Sequence, residues 1–192
     1  MSSQLPAIAR RDLARHPGDR VQRLLDAATD ELQAVGHEAL TIRAVAARAG
    51  ISPASAYTHL ASKDHLFAEL FWRLLADAPP PRITGTSPAA RLRQTIRHLT
   101  ELIAAAPAVA AAATKSLLGT DPLVAPLRLR IGAVFLGRFR AALGDDLDER
   151  VLDAVALAFF GALLQAGMGL VAFEDIGDRL DDVVSVILGG DP

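Results

Sequence analysis

Between Thr41 and Lys63 the chain packs helix starts and stops so closely that only brief helices joined by tight turns can fit. Thr41 is a good N-cap, because its hydroxyl can accept an orphan backbone N–H two or three residues on. Ile42, Val45, Ala46 and Ala49 then recur at helical spacing and form one apolar stripe. Gly50 follows, where a helix is most cheaply ended in a left-handed conformation. Ser52 caps the next helix and Pro53 takes its first position, where a missing N–H costs nothing. That helix is expected to run only to about His59, and Ser62 caps a third that continues through Leu66, Phe67 and Leu70. Two short helices across a tight turn form the helix-turn-helix that places one helix in a DNA major groove.

Charge agrees with this reading. No acidic residue occurs between Glu38 and Asp64, while Arg43, Arg48 and Lys63 are basic, in a chain of net charge -2. A surface that approaches phosphates excludes carboxylates. A gap of this size also arises by chance in an alanine-rich stretch, so it counts only together with the caps.

On these residues the segment resembles the DNA-binding domain of TetR-type transcriptional repressors. The resemblance is carried by Thr41-Ile42-Arg43, Val45-Ala46, Ala49-Gly50-Ile51-Ser52, Ala56-Tyr57 with His59, Ser62-Lys63-Asp64 and Leu66-Phe67. A preceding helix over about Arg20 to Val35, closed by Gly36, fits the family's first helix. The likeness is specific from about Val21 to Leu75. Leu60 stands where the family usually has an aromatic residue, and Ala56 where a bulkier aliphatic is common; both imply local repacking of the motif's small core.

Length and composition fit one small module and one larger helical domain. Hydrophobic residues make up 51%, enough for a sizeable core, and there is no cysteine. A disulfide framework, a thiolate metal site and a thiol nucleophile are therefore excluded. The N-terminal stretch is polar and arginine-rich and lacks the apolar core of a secretory signal. We expect a cytoplasmic protein, and the preference for arginine and alanine suggests a GC-rich bacterial genome.

From Ala154 to Phe173 no residue is charged, a run long enough to span a bilayer. Its flanks are acidic, at Asp148, Glu149 and Asp153 and at Glu174 and Asp175, whereas membrane helices more often end in lysine, arginine or interfacial aromatics. A helix that is apolar all round can equally be buried on every face of a globular protein. We therefore expect no membrane partner and one long helix from Leu147 to Phe173, and the resemblance implies that it packs on its own domain and against a second subunit.

The breakers divide the chain into a flexible tail over 1–19, a helix-turn-helix domain over 20–78 and a helical regulatory and dimerisation domain over 79–192. Pro79-Pro80-Pro81 mark the second boundary. Further helices are expected from about Pro88 to Ala106, Ala108 to Leu118, Asp121 to Leu143 with a bend at Pro126, and Asp178 to Leu188. The buried stripe of the first of these is Leu92, Ile96, Leu99 and Ile103, and Leu180, Val183, Val184 and Ile187 share one face of the last. No strand pattern or internal repeat is present, so the fold class is all-α.

Helix N-termini suit phosphate, and Thr41 and Ser52 sit at two of them. The resemblance implies that Arg43, Tyr57, His59 and Lys63 grip backbone phosphates. A core role for Tyr57 is disfavoured by spacing, since Pro53, Tyr57 and Leu60 cannot all face one core while Ala56 does too. Pro53, Ala54, Ser55 and Thr58 are the candidates to face base edges, and none offers the bidentate fork of arginine or asparagine. Readout then leans on methyl contacts, Arg43 and DNA shape. Arg10, Arg11 and Arg15 fit minor-groove contacts or a solubilising tail alike.

Two motifs related by a twofold axis match a palindromic operator with half-sites about 34 Å apart. We therefore expect a homodimer, formed by the long apolar helix and the last helix, which in isolation expose apolar surface. The resemblance also implies a small-molecule effector pocket in the C-terminal domain. Candidates to line it are Trp72, His98, Thr114, Phe135, Phe139, Phe160, Gln165 and Met168. The phenylalanines and Met168 fit an ordinary core as well, and His98 fits a solvated face beside Arg97 and Glu101. Gln165, a lone amide in an apolar helix, needs a partner, either a ligand or its own symmetry mate. With few charged candidates the ligand is expected to be mostly apolar.

Enzymatic chemistry has no visible machinery. His16, His37, His59, His65 and His98 show no metal-ligand spacing, and no cofactor motif is present. A glycine-rich phosphate loop and a nucleophile elbow are missing too. A non-specific nucleoid protein would carry a more positive charge than -2.

Overall fold

The computed structural model describes residues 17–144 and 148–189. Among them are nine α-helices, a short 3-10 turn and no strand. The chain divides into two compact units, the first ending at Leu66 and the second beginning at Phe67. Arg10, Arg11, Arg15 and most of the expected 1–19 tail lie outside the described residues.

In the first unit, α1 spans Pro17–Ala39, α2 Ile42–Arg48 and α3 Pro53–His59, and α4 begins at Lys63 and runs to Ala76. Helix α1 opens at Pro17, earlier than expected. It breaks at Gly36, whose φ of 75° belongs to the left-handed region. Helix α2 ends in a Schellman turn: Gly50 has φ +65°, the Ile51 N–H donates to the Ala46 carbonyl (2.9 Å) and the Gly50 N–H to that of Ala47 (3.1 Å). Leu24, Leu25, Ala28, Leu32, Val45, Ala46, Ala56 and Leu60 form the core of this unit. Leu60 is 1% exposed, so an aliphatic side chain fills the place where an aromatic is usual. Arg48 pairs with Glu31 at 2.7 Å, tying α2 to α1.

The second unit holds most of α4 with α5 (Pro88–Ala104), α6 (Pro107–Leu118), α7 (Ala125–Leu143), α8 (Glu149–Gly167) and α9 (Ile176–Leu188). Its division from the first unit falls before the three prolines expected to mark it, because the C-terminal half of α4 is packed here. Ala68 clusters with Val124 and Leu127, Phe71 stands 6.4 Å from Phe135, and Arg138 donates to the Leu75 carbonyl at 3.2 Å. Burial lowers the pKa of that arginine from its ordinary value.

Helix α5 starts as α3 does, with a serine cap followed by proline: Ser87 Oγ accepts from the Ala90 N–H at 3.1 Å. Its stripe of Leu92, Ile96, Leu99 and Ile103 is buried. Helix α7 starts at Ala125, after a turn in which Asp121 Oδ1 accepts from the Leu123 N–H (2.9 Å). Pro126 thus falls in the first turn, where it removes no helical hydrogen bond and no bend results. Phe135, Phe139 and Phe159 centre the core, with Phe159 5.0 Å from Phe135 and 5.1 Å from Phe139. Helices α5 and α9 are clamped by Arg97, paired to Asp181 and Asp178, and by Arg93 donating to Ser185 at 2.7 Å. The Asp181 contact above all raises the pKa of Arg97.

The uncharged run from Ala154 to Phe173 is not one helix. Helix α8 ends at Gly167 in a second Schellman turn, with Gly169 at φ +75° and the Leu170 N–H bonded to the Gln165 carbonyl at 3.0 Å. By length and composition α8 could cross a membrane. Its face of Leu152, Val155, Ala156 and Phe159 is instead buried in this unit. In α9, Leu180 and Val184 are buried, while Val183 and Ile187 are half-buried.

Candidate functional site

Three successive helices of the first unit are capped by hydroxyls. Thr41 Oγ1 accepts from the Ala44 N–H (3.1 Å), Ser52 Oγ from Ser55 (3.3 Å) and Ser62 Oγ from His65 (2.9 Å). The caps fix where each helix points. Helix α3 turns Ala56 fully into the core and leaves Pro53, Ala54, Tyr57 and Thr58 exposed, with Ser55 and His59 half-buried. Tyr57 is 48% exposed, so a large aromatic stands in water beside small residues. The Thr58 hydroxyl donates to the Ala54 carbonyl at 3.1 Å, which turns its methyl group away from that bond. Thr41 and Arg43 are exposed at the start of α2. Lys63, half-buried, donates to the Glu38 carbonyl at 2.8 Å. The segment that forms this surface carries no carboxylate from residue 39 to residue 63.

The second unit encloses a half-open cavity of about 360 Å³, within the range of small-molecule sites. Phe71 of α4, Ile103 of α5 and Ala110, Thr114, Leu117 and Leu118 of α6 form one side. Arg128, Ile131, Gly132 and Phe135 of α7, Phe160, Leu163 and Leu164 of α8, and Phe173 form the other. Thr114 and Arg128 are the polar side chains among them, and both are engaged by backbone. The Thr114 hydroxyl donates to the Ala110 carbonyl (2.8 Å). Arg128 donates Nε to the Leu117 carbonyl (2.6 Å) and Nη2 to that of Gly119 (2.7 Å), closing the end of α6.

Of the residues expected to line a pocket, Thr114, Phe135 and Phe160 border this cavity. The others do not. Trp72 packs on the Ala68, Val124 and Leu127 cluster under the Arg130 guanidinium, 4.9 Å above its ring. Phe139 is fully buried against Phe159. His98 is half-buried with Nε2 shielded from solvent, Gln165 is exposed, and Met168 is 64% exposed at the end of α8. Sequence reasoning missed Phe71, Leu117, Ile131 and Leu163. Gly132 offered a usable signal, since a glycine between bulky helical neighbours leaves room, and its Cβ position has no atom within 4 Å. Among the described residues no cluster of side chains could hold a metal ion.

A capped helix-turn-helix with an exposed second helix, joined to an all-helical unit with an apolar cavity, defines a helix-turn-helix transcriptional regulator. Residues 24–70 match the family model of bacterial regulatory proteins of the tetR family. The chain is 40% identical over 171 residues to Rv0767c, an uncharacterized HTH-type transcriptional regulator of Mycobacterium tuberculosis H37Rv, covering 88% of this chain and 80% of that one. It is 25% identical to the HTH-type transcriptional repressor KstR of Mycolicibacterium smegmatis, covering 89% and 88%. The chain belongs to the tetR family, and it is a transcriptional regulator, not an enzyme. Solved structures share its fold. A TetR regulator from Rhodococcus sp. RHA1 has a TM-score of 0.71 at 21% identity, covering 90% of this chain and 97% of the other. FadR of Bacillus subtilis, in complex with stearoyl-CoA, has a TM-score of 0.58 at 15% identity, covering 89% and 99%.

Proposed function

We propose that the chain is a cytoplasmic homodimeric repressor that holds a palindromic operator and is released when a small, mostly apolar ligand enters the cavity of the second unit. The observation that carries this reading is the cavity itself: a mostly apolar space whose two polar side chains, Thr114 and Arg128, both donate to backbone carbonyls, in a unit attached to a DNA-reading module. Repression is supported by the KstR relatives, named as repressors, and an effector with an apolar chain by FadR, solved with stearoyl-CoA, whose acyl chain is apolar and whose coenzyme A is anionic.

In this reading α3 enters the major groove. Pro53, Ala54, Ser55 and Thr58 meet base edges, while Arg43, Tyr57, His59 and Lys63 hold phosphates. Helix N-termini contribute unequally. At α3, Pro53 has no N–H and Ser52 occupies that of Ser55, so Ala54 alone offers a donor. At α2, Thr41 occupies the Ala44 N–H and leaves those of Ile42 and Arg43 for a phosphate. The effector acts only if it binds the released state better than the DNA-bound one.

The test is a binding titration on DNA from immediately upstream of the protein's own gene, with scrambled competitor. Tight binding that survives competitor and is lost in Tyr57→Ala supports the reading. Equal affinity for every sequence, including sites recovered by random selection, would sink it.

A further inference from the structure

Arg128 is the charged side chain of the cavity wall, and no carboxylate lines that wall. It is half-buried, and its guanidinium is a rigid plane with donors along two edges. Nε and Nη2, on one edge, donate to the Leu117 and Gly119 carbonyls at 2.6 and 2.7 Å. The other edge is formed by Nη1 and the second N–H of Nη2. Nη1 has no partner among the described residues. One edge therefore closes the end of α6, and the other is open.

The charge is also left over. The C-terminus of α6 carries a partial negative charge of about half an elementary unit, which offsets only part of a guanidinium. Arg128 stands in the first turn of α7, and that turn holds no acidic residue. The partial positive charge of the α7 N-terminus thus adds to that of the side chain instead of opposing it. No ion pair of Arg128 with a carboxylate is formed among the described residues. A cation beside an apolar space is costly unless an anion completes it, and the low dielectric there strengthens the pull on one. Closing a helix end requires no charge, since a neutral donor can do the same.

We infer that the ligand of this cavity carries one anionic head, a carboxylate, on an apolar body, and that Arg128 receives the head through its open Nη1–Nη2 edge. A carboxylate matches such an edge with two parallel N–H···O bonds, and the bonds that close α6 stay in place. The apolar body lies against side chains such as Ile131, Phe135 and Phe160. This inference rests on the effector role proposed for the cavity and adds the charge of the effector.

The test uses the full chain and two compounds with the same chain, decanoate and its neutral methyl ester. Both compete with N-phenyl-1-naphthylamine, a neutral fluorophore excited by energy transfer from Trp72. Trp72 is the single tryptophan and packs on the same cluster as the lining residue Leu117. Wild type should bind decanoate about tenfold more tightly than the ester, the scale of hydrogen bonds to charged groups. Arg128→Gln should cancel that preference by weakening decanoate about tenfold and leaving the ester nearly unchanged. Arg128→Lys, which keeps the charge, should keep decanoate ahead of the ester. Gly132→Leu places a side chain in the cavity and should abolish binding of both.

A wild-type chain that binds the ester as tightly as decanoate overturns the anionic head and leaves the effector role of the cavity standing. No change in Arg128→Gln, or an equal loss of both compounds, overturns it too, since an arginine that only closes α6 would give that result. If Arg128→Gln loses its helical circular dichroism, the wild-type and Arg128→Lys comparisons decide. Failure of wild type to take up fluorophore, decanoate or ester overturns the effector role and this inference together, as does binding that Gly132→Leu leaves intact.

Discussion

Gly167 and Thr114 meet where α8 crosses α6, and a Cβ on Gly167 would lie 2.5 Å from Thr114 Cγ2. Two helices can approach this closely only because one of them brings backbone without a side chain. Gly167→Ala must push the helices apart or turn Thr114, a lining residue, from its rotamer. Overpacking of this kind costs about 1–3 kcal/mol. Gly137, on the exposed side of α7, has no atom within 4 Å of its Cβ position. Gly137→Ala should therefore stabilise by roughly 0.5–1 kcal/mol through helix propensity and chain entropy. Thermal unfolding should show Tm moving in opposite directions for the two changes. A common direction would refute the close contact.

Arg43 tests the phosphate side of the proposed interface. It is exposed beside the open N-terminus of α2. Replacing it by alanine should weaken specific and non-specific DNA alike and reduce the slope of log K against log salt by about 1 per subunit. Should Arg43→Ala relax the preferred sequence and leave the salt slope intact, Arg43 reads bases instead.

Asp148 contributes to the acid side of stability at the start of α8. The Arg150 side chain, and then its backbone N–H at 2.9 Å, hold this carboxyl below the usual carboxylate range. A group whose folded pKa is depressed stabilises the fold above its unfolded pKa, and the contribution is lost as pH falls through the folded value. Asp148→Asn should thus flatten the stability profile in the acid range and leave the slope near neutrality unchanged. Circular dichroism against pH reads the difference, and an unaltered acid limb would show that the carboxylate contributes nothing.

How much the sequence revealed varied with the range of the interactions involved. The reading module is specified by caps and turns acting over three or four residues, so Thr41, Gly50, Ser52 and Ser62 mark helix ends that the structure repeats. The cavity depends on which apolar side chains meet a void and which meet each other, and identity does not encode that. Phe135 and Phe139 sit one turn apart on α7, yet Phe135 borders the cavity and Phe139 lies wholly in the core. Gln165 is turned outward by the register of α8, which takes it away from the cavity and leaves its own symmetry mate as the expected partner. The apolar run to Phe173 hid the stop at Gly169, because glycine costs a long helix little in hydrophobicity while permitting a left-handed turn. Likewise the proline triplet marked a link and not the seam between units, since Phe71 and Leu75 of α4 already belong to the second core.

Thr114 and Arg128 each donate to backbone carbonyls in α6 or at its end, and the other twelve side chains that line the cavity are apolar or absent. A hydrophobic space of that kind separates ligands that differ by one methylene by only about 10–200-fold. If the proposed effector enters this cavity, the regulator would respond to the summed abundance of a set of similarly sized, mostly apolar molecules, each weighted by fit, and act as a gauge of a chemical pool in place of a detector for one compound.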